Sequence, residues 1–375
     1  SATARIAMGV DRARRTRAFV ALAGGAGPGH QPGLAGRALP VSSSIKNLHF
    51  PIEMNRRLFL TRAAACLLVT LFSETLLAES FALISDLNGR YGSTSYHHRV
   101  SDAIEAIVEL QPDLAICTGD MIAGQQQPRL DQDWLDRMWS GLNFTVVDPV
   151  GRAGIPLLVT PGNHDGSAYP EYALERQRFA AQWDGRKPEL EMLAGSQWAR
   201  RYAARMGSIL LLGFDGTRTG PLPGDELAFV EEMLGKYGSA ASATVVFSHL
   251  PMWPLTKGRE HEIIDDPTLL KVLHEHGVDV YASGHHHAFF AGIDEAGMVH
   301  VGNGSLGGNT RAFVGGKHRQ PHSFTVLEIQ DGSVTVTSRA AADFTGEVPI
   351  DNLPATLPGP LGTLQRIDGP VALRP

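Results

Sequence analysis

Cysteine is nearly missing from this chain: Cys66 and Cys117 are the only two in 375 residues. So few exclude a disulfide framework and any zinc site built on cysteine. Cys117 lies in the apolar stretch LAICTGD and reads as a small buried core residue. Positive charge is scarce as well. Residues 1–78 carry ten Lys/Arg against three Asp/Glu, but the remainder carries 23 against 36. An acidic body offers no broad basic face to a phosphate backbone, so no nucleic-acid partner is expected. Long apolar runs are absent too. The stretch from Ala63 to Phe72 is too short for a stable membrane span. No internal repeat organises the chain, and nothing in it implies a protein partner.

What remains is ordinary in bulk: 43% hydrophobic and 19% charged residues, a globular composition with ample core for one large domain or two small ones. Histidine is the exception. There are 15, and several cluster late in the chain, which raises the question of metal chemistry.

The N-terminal part reads as an address. Residues 1–53 are rich in Ala, Gly and Arg without amphipathic pattern, and are expected to be disordered or not part of the working protein. Residues 54–78 combine a basic start, an apolar run and Ala78, resembling an export signal. Arg56 and Arg57 followed by Leu58, Phe59 and Leu60 resemble a twin-arginine signal. Export, and a periplasmic location, is the expectation; a simple anchor or a cytoplasmic protein is the alternative.

From residue 79 strands and helices alternate. SFALISDL, LAICTGD, IPLLVTPG, SILLLGFD, TVVFSHLP and VDVYASGHH read as strands. Helices are predicted over 97–110, 131–142, 171–183, 225–234 (with Asp225 as a possible cap) and 267–276. Two hairpins follow, GIDEAGMVHVGN and FTVLEIQDGSVTVTS, the second turning on Asp331–Gly332. This order predicts an α/β fold with two packed sheets flanked by helices, in one domain over 79–347. The Pro/Gly-rich segment 348–375 is expected as a tail that wraps the body or is mobile.

The informative pattern stands at the strand ends. ISDLN ends in Asp86 and Asn88, and CTGD in Asp120. TPGNHD ends in Asn163, His164 and Asp165, FSHLP carries His249, and ASGHHH ends in His285, His286 and His287. Carboxyl ends of strands in α/β sheets converge on one crevice. Carboxylates can bridge cations while imidazole and amide oxygen complete the shells, so the set fits a pair of divalent ions.

These five motifs in order resemble the calcineurin-like metallophosphoesterases over about residues 80–340. The resemblance implies a four-layer αββα sandwich of two mixed sheets, with the metal site at the strand carboxyl ends. It implies a binuclear centre that hydrolyses a small phosphodiester or phosphomonoester through a metal-activated hydroxide. Asp86, Asp120 and His287 would hold the first ion, with Asn88 where the family has histidine. Asp120, Asn163, His249 and His285 would hold the second. His164 matches the family's substrate-side histidine, and Asp165 would complete the catalytic pair by orienting its loop. His286 falls at a variable position and could point at substrate or simply be solvated, while Arg311 in GGNTR could reach an anionic substrate or be a surface or loop-fixing residue. The resemblance implies two divalent ions, Mn, Fe, Zn or Mg. Asn88 is a harder and weaker donor than imidazole, which shifts the first site toward Mn²⁺ or Mg²⁺. Two other classes stay open: a non-catalytic metal- or phosphate-binding relative, and a one-metal hydrolase of another bond.

Overall fold

The computed structural model describes residues 78–374. Segment 1–53 and all but the last residue of the signal-like segment 54–78 lie outside the described residues. No helix among the described residues is long and apolar enough to cross a membrane.

Strand β1 (Glu79–Ile84) runs parallel to β2 (Leu114–Cys117), which runs parallel to β3 (Leu157–Val159). The chain then builds a second sheet with β4 (Glu191–Met192), β5 (Tyr202–Met206), β6 (Ile209–Gly213), β7 (Ala243–Phe247), β8 (Val280–Ser283), β9 (Phe290–Ile293) and β10 (Val299–Gly302). It returns to the first sheet with β11 (Ser323–Gln330), β12 (Ser333–Ala340) and β13 (Gly346–Glu347). Strands β14 (Thr356–Gly359) and β15 (Gly362–Arg366) extend the second sheet, and β16 (Val371–Ala372) pairs with β12. The first sheet has the order β13-β12-β11-β1-β2-β3, the second β14-β15-β9-β10-β8-β7-β6-β5-β4.

The period-2 alternation of strands explains the layering. In β1, Phe81 and Leu83 face Leu211, Val245 and Val301 of the second sheet, filling the space between sheets. Ala82 and Ile84 face the other way, onto Val100, Ile104, Leu135 and Phe179 from the helices His98–Leu110, Gln132–Leu142 and Ala173–Trp183. The second sheet repeats the arrangement: Leu212 and Val246 pack against Val230, Met233 and Leu273 of helices Gly224–Tyr237 and Pro267–Glu275. The result is a helix–sheet–sheet–helix sandwich. Strands buried on both faces must be apolar throughout, which is why these segments lack clean alternation in sequence.

Local signals set the boundaries. Asp131 and Asp266 cap their helices by accepting backbone N–H bonds. Asp331 and Gly332, at φ 50° and 71°, make the two-residue turn of the β11–β12 hairpin. Asp225 does not cap. Pro223 occupies the cap position without a side-chain bond, and Asp225 sits in the first turn, 3.1 Å from Arg201. Within segment 348–374, β15 pairs with β9, and Leu357 and Leu364 are buried in the outer core of the second sheet.

Candidate metal centre

The loops after β1, β2, β3, β7 and β8 meet at one edge of the sandwich and are stitched together through backbone. Asp86 N–H donates to Gly119 O (3.1 Å), and Leu87 and Asn88 N–H both donate to Asp120 O (2.9 and 3.2 Å). Gly284 N–H donates to His249 O (2.8 Å), and His285 N–H crosses between the sheets to Asp86 Oδ2 (2.9 Å). Four of the residues involved stand in the left-handed region: Asp86 (φ 52°), Asp120 (55°), His285 (64°) and His287 (56°). Non-glycine residues there are uncommon, and such strain gathers at functional sites. Gly119, at φ 99°, could not be replaced: a Cβ would lie 2.7 Å from the Gly162 backbone and 2.9 Å from His249 Nδ1.

Four acceptor atoms crowd around His249. Its Nδ1–H donates to Thr118 O (2.8 Å), which directs Nε2 inward. That Nε2 lies 2.9 Å from Asn163 Oδ1, 3.4 Å from Asp120 Oδ1 and 3.2 Å from His285 Nδ1. Beside this group, Asp86 is completely buried and its Oδ1 has no hydrogen-bond donor. His287 Nε2 approaches that oxygen to 3.1 Å, while its Nδ1–H donates to Asn309 O (2.6 Å).

The electrostatics mark a cluster short of positive charge. Burial opposes a proton on His249, yet the Asp120 and Asp86 carboxylates push its imidazolium up to about 9. Burial also works against ionising Asp120, but His249 and His164 hold its carboxyl well below the usual range. Burial, reinforced by Asp120, pushes Asp165 up to about 7. One proton on His249 cannot serve Asn163, Asp120 and His285 together while Asp86 Oδ1 stays unpartnered. Oxygen and imidazole donors in this array fit divalent cations. Among the described residues, Asp120, His249 and His285 bring their ligand atoms within 4.8 Å of one another.

The remaining sequence candidates divide. His164 Nδ1–H donates to Gly124 O (3.1 Å), leaving Nε2 facing the cluster 3.8 Å from Asp120 Oδ2. The exposed Tyr91 ring packs 5.1 Å from the His164 ring. Asp165 uses both oxygens on backbone: Oδ2 accepts from Met121 N–H (2.5 Å) and Oδ1 from Gly162 N–H (2.7 Å). It orients the loops and does not face the cluster. Asn88 is 5% exposed. Arg311 is next to the His287 loop, with its backbone N–H on His287 O (3.4 Å) and a buried Nε that has no acceptor.

His286 requires a correction. It is completely buried, with Nδ1 accepting from Leu255 N–H (3.0 Å) and Nε2–H donating to Glu262 O (3.1 Å). Both ring nitrogens are engaged in the neutral form, and burial pushes the imidazolium down to about 3. It pins the loop and cannot touch substrate. The sequence also failed to single out Gln125, which donates to Asn163 O, and Glu262, whose Oε2 lies 2.8 Å from His285 Nε2. Neither falls in a motif, so no spacing signal could have marked them.

A model of the calcineurin-like phosphoesterase family matches residues 80–289, more than half of the chain. The chain belongs to that family and is a metallophosphoesterase. No curated protein matches the sequence. Among solved structures it is similar to a purple acid phosphatase from yellow lupin (Lupinus luteus) seeds, with TM-score 0.56 and 14% identity over 72% of this chain. The match spans only 52% of the lupin chain. A dimetal phosphatase from Danio rerio gives TM-score 0.50 and 15% identity over 72% of this chain and 97% of that one. GAP50, the anchor in the inner membrane complex of Plasmodium, gives 0.52 and 14% over 80% and 90%. At such identities these likenesses establish the shared fold.

Proposed function

We propose that this metallophosphoesterase uses two metal ions to hydrolyse a small phosphomonoester or phosphodiester. The observation that carries the reading is the crowd of Asp120 Oδ1, Asn163 Oδ1, His249 Nε2 and His285 Nδ1, with Asp86 Oδ1 unpartnered beside it. Asp120, Asn163, His249 and His285 would hold one ion. Asp86, Asp120, His287 and Asn88 would hold the other, with Asp120 shared. Divalent ions bound there supply Lewis-acid stabilisation of phosphoryl oxygens and a strong nucleophile at neutral pH.

The chain's own groups do the rest. His164, oriented by its bond to Gly124 O, presents Nε2 to the site, where in the imidazolium form its Nε2–H would bind an equatorial phosphoryl oxygen or protonate the leaving oxygen. A cavity of about 280 Å³ opens beside Asn163 and His285, lined also by Tyr169, Tyr172, Thr217 and Glu262. That volume suits a small leaving group better than a polymer.

The test is to strip the protein of metal, reload it separately with Mn²⁺, Fe²⁺, Zn²⁺ and Mg²⁺, and measure stoichiometry by elemental analysis alongside turnover on chromogenic mono- and diesters. Two ions with turnover support the reading. Two ions without turnover on any ester favour a binding role, the outcome that the weak donor Asn88 makes worth testing. One ion without phosphoesterase turnover points to a different hydrolase. Export of the chain, supported by the twin-arginine-like residues 54–78, is proposed alongside; N-terminal sequencing of the protein recovered from the periplasm tests it.

A further inference from the structure

We propose that Glu262 is a positioning residue that turns the Nδ1 lone pair of His285 into the metal cluster; the inference rests on the two-metal reading. Glu262 belongs to the loop between β7 and the helix Pro267–Glu275. Its Oε2 lies 2.8 Å from His285 Nε2, on the outer side of the ring. On the inner side His285 Nδ1 is 3.2 Å from His249 Nε2, within the crowd of acceptors. A neutral imidazole carries one N–H, and a carboxylate can only accept it. The Glu262 contact therefore keeps the proton on Nε2 and leaves Nδ1 free to act as a ligand, the arrangement by which outer carboxylates fix metal-binding histidines.

Arg259 makes the assignment a contest. Its Nη1 lies 2.9 Å from the same His285 Nε2 and also pairs with Glu262. A guanidinium only donates, so a direct Arg259 bond to Nε2 would place the imidazole proton on Nδ1, facing the cluster. The two neighbours favour opposite tautomers. With Nδ1 engaged as a ligand only the Glu262 bond can form. The backbone supports the same residue: Glu262 O accepts from His286 Nε2–H (3.1 Å), so Glu262 anchors two consecutive histidines from outside the cluster.

The experiment measures Zn²⁺ affinity of the full chain by competition with a chromophoric chelator, with circular dichroism as a folding check. Glu262→Ala is expected to weaken one of the two ions by about 10–100-fold, whereas Glu262→Gln, whose amide oxygen still accepts from Nε2–H, stays within about threefold of the native protein. Arg259→Ala, which removes the competing donor, binds as tightly as the native protein or more tightly. Unchanged affinity in Glu262→Ala overturns the proposal. So does a Glu262→Gln as weak as Glu262→Ala, which would indicate a charge effect. Should Glu262→Ala fail to fold, histidine-selective ¹⁵N NMR of the zinc-loaded native protein decides. A slowly exchanging His285 Nε2–H is expected, and a proton in fast exchange with water overturns the assignment. A native protein that binds no metal refutes the two-metal reading itself, whereas two bound ions with Glu262→Ala unaffected refute only this inference.

Discussion

Around His249 Nε2, at the end of β7, acceptors from the ends of β2, β3 and β8 crowd within 3.4 Å, whereas the unpartnered oxygen of Asp86 is approached by His287 Nε2. Three of the four residues in the crowded half are braced from outside: His249 on Thr118 O, His285 on Glu262, Asn163 on Gln125. In the thin half His287 is tethered to Asn309 O, and Asn88 would offer an amide oxygen in place of an imidazole. Bracing fixes ligands in place before an ion arrives, so the crowded half should bind tightly and the thin half should exchange its ion with solvent.

Breaking the shared element should have the largest effect. Asp120→Asn is expected to strip both halves and lower kcat by more than about 10³-fold, since the whole of the metal contribution is lost. Elemental analysis and steady-state kinetics check it, and a variant with two ions and native turnover would remove Asp120 from its assigned place. His164→Ala should separate chemistry from binding. Both ions stay and kcat falls by about 10²–10³-fold, the usual consequence of losing a transition-state donor. Sharpening the comparison needs Asn88→His. It should tighten the thin half by about tenfold and leave the crowded half alone, on the scale by which a single ligand or its support alters affinity. Unchanged affinity would mean that the Asn88 side chain is not a ligand.

The smallest effect lies outside both halves, at the buried carboxylate of Glu226. Burial, reinforced by Asp215 and opposed by Arg201, pushes Glu226 up to about 7 from an ordinary value of 4.5. The folded chain therefore resists ionising Glu226. Stability from the protonated form is full below 4.5 and is lost as pH rises through about 7. Urea unfolding at pH 5 and pH 8 should show the native protein losing on the order of 1 kcal/mol relative to Glu226→Gln across that interval. Equal slopes for the two proteins would show that Glu226 ionises freely.

Much of this arrangement was legible in the sequence, because it is made of local signals. Strand ends, helix periodicity, the Asp-Gly turn and the five motifs are each readable within ten residues. The misses are non-local. Strand Tyr202–Met206, with Ala-Ala-Arg at its centre, has weak β character and is held by pairing with β6. His286 belongs to a motif yet faces inward, because the chain 30 residues earlier closes over it with Leu255 and Glu262. Glu262 itself meets His285 across 23 residues of sequence, so only the folded loop reveals the contact. Likewise β1 lies between β2 and β11, a neighbour more than 200 positions away that no pattern in β1 announces.

Asp86, Asp120, His285 and His287 all stand in a backbone conformation that most residues avoid. Asp and His are among the side chains that tolerate it best, so the residue types suited to holding cations are also those that can occupy these turns. Glycine would relax each turn and abolish its donor. At these four positions, then, selection for a more stable fold and selection for a working site pull in opposite directions. A lineage released from the need for catalysis would be expected to lose them first, while its sandwich grew no weaker.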